Sequence, residues 1–299
     1  MFGINPIVLV AALIAFCSIP ITSTATSSSA TISIFHDRNA VHQQEAFTYG
    51  ILSTVAGSTT QGAGSTQNGI LATAAKLTDP SGVTMDTSGN LYISDKDGHR
   101  VMKVTASTGL INAVAGTGVA GYSGDGGHAI NAKVDSPEGI QLDKSGNIYF
   151  ADPKTHRIRK VPVSTGIITT VARNGDNLYD KDNVAATSTT LSSPNDVALD
   201  SDGNIYIADT RNNRIRKVTV STGIITTVAG NGTSIQKSIK GSVVATAYSV
   251  CRPIAIAVDK SANIFVAMES NARLYKVTAS TGLMTYVAGS IYSNYTLYT

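Results

Sequence analysis

Between residues 50 and 290 the chain alternates short apolar runs with clusters of Gly, Ser, Thr, Asp and Asn. Residues 197–199 form a first apolar segment, GNIYIAD a second at 203–209, RIRKV a third at 214–218 and GIITTVAG a fourth at 223–230. Each is strand-length and rich in β-branched residues, so each is predicted as a short β-strand. Asp200-Ser201-Asp202-Gly203 and Ser221-Thr222-Gly223 separate the first from the second strand and the third from the fourth. Their side-chain acceptors and glycines predict tight hairpin turns.

The group of four recurs. Pro80, Pro137, Pro194 and Pro253 keep one phase, as do Asp86, Asp143, Asp200 and Asp259, with separations of 57, 57 and 59 residues. Gly89, Gly146 and Gly203 repeat with them, and Ala262 takes the glycine position in the fourth copy. Along the first strand of each unit, Val83, Ile140, Val197 and Ile256 alternate with Gly82, Gly139, Ala198, Ala255 and Ala257. Small side chains suit the crowded centre of a radial array. A four-stranded unit with two apolar faces cannot satisfy itself and must stack between neighbours. The fold class predicted is all-β: a β-propeller of four-stranded antiparallel blades, with four complete units.

The copies of GNIYIADTRNNRIRKV at 203–218 and the loop AGTGVAGYSGDGGHA at 115–129 resemble the NHL-repeat family of β-propellers, and the resemblance runs over roughly residues 50–290. Propellers of that family commonly close with six blades. Here the four units are preceded only by an apolar segment at 51–57, expected as the outer strand of a partial fifth blade. The expected organisation is a signal peptide at 1–25, a Ser/Thr-rich linker at 26–48, the propeller at 49–290 and a tail at 291–299. An open propeller would expose two apolar blade faces and invite homo-oligomers.

Composition narrows the function classes. Charged residues make up 14% of the chain and the net charge is +3, so no strong phosphate-backbone footprint appears and no nucleic-acid partner is expected. The RIRKV segments are expected to present a solvated strand face. Residues 7–19 form an uncharged apolar run of signal-peptide length, with Ser23 and Ala25 at the positions preceding a cleavage site; the mature chain is expected to be secreted, without a stable membrane span. Removal of Cys17 leaves Cys251 alone, so packing rather than a disulfide must stabilise the fold. Asn231-Gly232-Thr233 and Asn294-Tyr295-Thr296 are glycosylation sequons in predicted loops.

In a propeller the interblade connections and the second-to-third strand links share one face, and the tight hairpins lie on the other. The connection from Gly116 to Pro137 takes about 20 residues, and long loops of this kind are often functional. Tyr122, Asp125, Tyr179 and Asp182, in the parts of these loops that vary between copies, are the ligand-binding candidates. The alanine-rich halves (Ala72, Ala129, Ala132, Ala186) either line the same site or tuck against a neighbouring blade.

Asp95, Asp152 and Asp209 close the second strand, and Arg100, Arg157 and Arg214 open the third, a spacing that predicts cross-hairpin ion pairs. In the fourth unit Met268 replaces the acid and Glu269 is its candidate substitute. One acid per blade does not converge on a cation, and His99 and His156 occupy equivalent points on successive blades, too far apart to share zinc. No catalytic motif, metal site or cofactor site is identified. The expected function is a binding module for a protein or carbohydrate; the resemblance also implies a metal-assisted lyase or lactonase as the alternative.

Overall fold

The computed structural model describes residues 53–58, 68–173, 181–235, 239, 241–270 and 272–289. Four antiparallel sheets follow one another. Blade 1 holds β1 (Ile70–Leu71), β2 (Pro80–Met85), β3 (Leu91–Asp95), β4 (Arg100–Val104) and β5 (Leu110–Ala115). Blade 2 holds β6 (Ile140–Leu142), β7 (Ile148–Asp152), β8 (Arg157–Val161) and β9 (Thr169–Ala172). Blade 3 runs through β10 (Val184–Ala185), β11 (Asp196–Leu199), β12 (Ile205–Asp209), β13 (Arg214–Thr219) and β14 (Ile224–Ala229). Blade 4 runs through β15 (Ser242–Val244), β16 (Pro253–Val258), β17 (Ile264–Met268), β18 (Arg273–Thr278) and β19 (Leu283–Gly289). The short first strand of blades 1, 3 and 4 was not expected. It comes from the incoming loop and pairs with the outermost strand of the blade it is about to build.

The recurring polar residues hold each blade's two hairpin turns together. Asp200 Oδ1 accepts the amides of Asp202 and Asn204, and its Oδ2 accepts from Asn204 Nδ2 and the Tyr206 hydroxyl. Asn204 Oδ1 then accepts the amide of Val220 in the second hairpin. Burial opposes ionisation of Asp200, but these four donors outweigh it and hold the carboxyl below its usual range. Asp86, Asp143 and Asp259 build the same turn, with Phe265 in place of the tyrosine in blade 4. Lys103, Lys160, Lys217 and Lys276 each lie over the matching ring at 5.0–5.7 Å.

The core lies between blades. Tyr206, Ala208, Ile215 and Ala229 of blade 3 meet Ile256, Ile264, Val266 and Met284 of blade 4, and homologous sets join blade 1 to 2 and blade 2 to 3. Among the described residues the end surfaces have no such cover. Ala115, Ala172 and Ala229 are buried whereas Ala288, the same position in blade 4, is exposed; Val83 in blade 1 is 47% exposed where Ile140, Val197 and Ile256 are buried. Upstream, residues 53–58 form no strand, yet Ala56 packs on blade 1 and the Gly57 amide donates to Ala72 O, as Gly116 does to Ala129 O. Residues 51–52 of the expected outer strand, and the expected signal peptide, linker and tail, lie outside the described residues.

Candidate functional site

The long loops are built on one repeated alanine. Ala72, Ala129, Ala186 and Ala245 each start a single 3-10 turn and are buried. Each donates its amide to the second hairpin of its own blade, at Gly109, Gly166, Gly223 and Gly282; Ala129, Ala186 and Ala245 accept from the residue after the preceding outer strand, at Gly116, Arg173 and Gly230, and Ala72 accepts from Gly57 in the upstream segment. The alanine-rich halves therefore tuck between blades, and the loops carry regular structure of their own.

Two binding candidates help to anchor the same loops. Asp125 Oδ1 accepts from Arg159 Nη2 at 2.6 Å, and its Oδ2 accepts from Thr170 N and the Tyr122 hydroxyl. Burial raises its pKa, but these partners prevail and hold it below the usual carboxylate range. Asp182, 57 residues on, bonds Arg216 Nη2 at 3.0 Å and accepts from the Thr227 hydroxyl. The Tyr122 ring lies 3.5 Å from the Arg157 guanidinium carbon. Tyr179 lies outside the described residues.

The arginines correct the expectation of a solvated strand face. Arg159 and Arg216 are fully buried rather than solvated. They also stand beside the hairpin acids: Arg159 Nη1 is 3.5 Å from Asp152 Oδ2, and Arg216 Nη1 is 3.8 Å from Asp209 Oδ2. The register does set Asp152 opposite Arg157, but Arg157 turns outward to Thr155 O and the Tyr122 ring. Asp95 and Arg100 are likewise opposite: burial raises the Asp95 pKa and the Thr78 and Asp79 amides and the Arg100 charge oppose the rise, while Arg100 Nη2 donates to Thr117 O. Burial pushes Asp152 up to about 6 despite the Asp135 amide and the Arg159 charge. In blade 4, Glu269 bonds Arg252 at 2.6 Å; both are well exposed, so the pair adds little stability.

Sequence reasoning missed a polar row at the inner end of the long-loop face. Ser81, Glu138, Asn195 and Ile254 occupy one position in the four units, next to the innermost strands. Glu138 Oε2 accepts from Asn195 Nδ2 at 2.7 Å, and Glu138 Oε1 lies 3.3 Å from Lys96 Nζ, so one row joins three blades. Asp79 stands 3.8 Å from the same ammonium. Burial pushes the more enclosed Glu138 up, beyond what Lys96 restores; Lys96 is itself raised, because Glu138 and Asp79 outweigh its partial burial. Beside the row, Asp196 replaces the Gly82, Gly139 and Ala255 of other blades. Its oxygens accept the amides of Val197 and Ile256, joining blade 3 to blade 4, and burial pushes its pKa up to about 7.

His99, His156 and Asn213 share a left-handed turn position, with φ of 49°, 59° and 52°. His99 Nδ1, His156 Nδ1 and Asn213 Oδ1 accept the amides of Ser136, Ser193 and Arg252 in the next blade. This is a repeated stitch between blades, and histidine suits it as an acceptor. Asn231 lies in an exposed loop, its Nδ2 donating to Ala247 O, and Asn294 lies outside the described residues. Cys251 is buried, its thiol directed to Ser234 O. Among the described residues no cluster of three metal-ligating side chains occurs, and no helix is long and apolar enough to cross a membrane.

Family models agree with the repeat. The NHL repeat family model matches residues 77–103 and 191–218, and the Teneurin NHL domain model matches 119–181. Teneurin-3 of Mus musculus is 34% identical over 154 residues, 46% of this chain and 6% of that protein. NHL repeat-containing protein 2 of Homo sapiens is 28% identical over 164 residues, 50% of this chain and 22% of that protein. The chain thus spans less than a quarter of the length of either relative. Among solved structures, the virginiamycin B lyase of Staphylococcus aureus aligns with a TM-score of 0.45 at 18% identity, covering 71% of this chain and 56% of that one. An auxiliary nutrient binding protein of Bacteroides ovatus aligns at 0.46 and 14%, covering 70% and 47%.

Proposed function

Since the chain belongs to the NHL-repeat family of β-propellers, we propose that it is a secreted, non-catalytic binding module that receives a protein or carbohydrate partner at the inner end of its long-loop face. The observation that carries this reading is the Lys96–Glu138–Asn195 row. Most recurring polar residues serve the blades themselves, as the Asp200 turn does. The row departs from the repeat, since its position is Ser81 in blade 1 and Ile254 in blade 4, and Lys96 is replaced by Pro153, Thr210 and Glu269. Side chains that depart from the repeat and gather on one face supply the mix of charge and amide that orients a polar ligand.

The test immobilises the purified chain and screens soluble oligosaccharides and extracellular protein ectodomains, alongside Glu138→Ala. A partner bound by the parent chain and lost by Glu138→Ala supports the reading. Binding indifferent to Glu138, or turnover of a lactone on addition of a divalent metal, overturns it. N-terminal sequencing of protein recovered from the medium tests secretion: a start near residue 26 is expected.

A further inference from the structure

The three junctions between blades have one plan but not one charge. On the long-loop face, the junction of blades 1 and 2 carries Asp97 in the hairpin link, Asp135 ahead of the inner strand and Gly116 at the end of the outer strand. At the same positions the junction of blades 2 and 3 carries Lys154, Ser192 and Arg173. Two acids and a glycine have become two cations and a serine. Arg211, on the next blade's link, adds a third cation, where blade 4 has Ser270. The surroundings of the two histidines differ: His99 Nδ1 lies 3.5 Å from the Asp135 carboxylate, whereas His156 is disfavoured as a cation by burial and then by Arg173, Arg211, Arg157 and Lys154.

Arg173 is the least expected of these residues. Its φ is +113°, a region that Gly116, Gly230 and Gly289 fill at the same point of the other units. A Cβ on Gly116 or Gly230 would stand 2.3 Å from a backbone carbonyl oxygen, so a side chain here forces its surroundings to yield. The backbone bond it makes, Arg173 N to Ala186 O, is one that glycine makes equally well at Gly116 and Gly230. Its guanidinium shares the acceptor Thr155 O with Arg157, which sets two like charges side by side. Strain and repulsion retained together at one point mark a site adapted to something other than stability.

We propose that this junction is an oxyanion site, in which Arg173, Lys154 and Arg211 hold the sulfate, phosphate or carboxylate group of a ligand. A guanidinium fork matches a tetrahedral or planar oxyanion, and an ammonium adds a point charge from the side. The proposal rests on the long-loop face being the binding surface, and it adds the chemistry of the group bound there.

The experiment titrates sodium sulfate, phosphate and glucuronate into the purified chain by calorimetry, with ionic strength held constant by chloride. One saturable site is expected. Arg173→Gly and Arg211→Ser, which install residues used by the other blades, should each weaken binding about tenfold, as loss of one charge-assisted hydrogen bond implies. Lys144→Ala, on the opposite face, should leave affinity unchanged. Preference for sulfate and phosphate identifies a tetrahedral group as the natural source, and preference for glucuronate a carboxylate. Absence of a saturable site, or a folded Arg173→Gly that binds like the parent, overturns the proposal. If Glu138-dependent partner binding persists in that case, only the anion site falls.

Discussion

Blades 2 and 3 and the terminal blades 1 and 4 fill the same internal slot with opposite chemistry. In the inner blades the third residue of the third strand is a fully buried arginine, Arg159 or Arg216, held between a hairpin acid and a loop acid. In blade 1 the slot holds Met102, and the loop acid is Asn68, whose Oδ1 still accepts the Ala113 amide as Asp125 accepts that of Thr170. In blade 4 it holds Tyr275, packed between Tyr248 and Tyr286, with Met268 and Gly241 in place of the acids. Arginine occurs where both acids occur; blade 1 keeps the hairpin acid Asp95 but lacks the loop acid, blade 4 lacks both, and an apolar or aromatic residue fills the space in each. A buried ionic network stabilises only when complete, and a well-packed apolar replacement can equal it.

This contrast is sharpest when blade 1's solution is moved into blade 2. Arg159→Met alone strands Asp152 and Asp125 and should cost about 3–5 kcal/mol in chemical denaturation. Adding Asp125→Asn reproduces the Met102/Asn68 pair and should recover the stability to within about 1–2 kcal/mol of the parent. A double variant as unstable as the single one would show that the two solutions are not interchangeable.

The turn staple separates the blades less. Asp200→Ala removes an acceptor of four hydrogen bonds in blade 3 and should cost about 2 kcal/mol; Asp259→Ala, which has no tyrosine hydroxyl to lose, about 1 kcal/mol. Equal losses would deny the Tyr206 hydroxyl any part. In the opposite direction, Arg173→Gly gives blade 2 the residue its neighbours use and should raise stability by about 1 kcal/mol, measured as a higher Tm.

The pH dependence turns on Asp196, the one acid placed where the other inner strands carry glycine or alanine. Its pKa rises from 3.8 unfolded to about 7 folded. The folded chain therefore binds the extra proton between these values, and this group lowers stability as pH rises from about 4 to 7. Glu138 and Asp152, also raised, add slope in the same sense. Asp196→Asn should flatten the decline of Tm between pH 5 and 8, and an unchanged slope would assign the effect to the other acids.

The blades were legible because their information is local. Turn residues at fixed offsets, short β-branched strands and the 57-residue period lie within one unit and predict its strands directly. The buried arginines were not legible, because alternation along a strand reveals a solvent face only when one exists. Both faces of an inner blade are covered by neighbours, so RIRKV reads the same whether Arg159 meets water or Asp125. The loop candidates looked variable for a related reason: Asp125 and Asp182 keep the repeat phase, but the arginine that gives them a role is 34 residues away.

Sequence alone thus determined the repeat, the strands, the turns and the resemblance to the NHL-repeat propellers, since neighbouring residues dictate each. Tertiary structure decided which face of each blade is covered, which arginine meets which acid, and that Lys96, Glu138 and Asn195 form one row. Those depend on the stacking of blades, which brings together side chains 42 and 57 residues apart whose individual environments carry no trace of one another in the sequence.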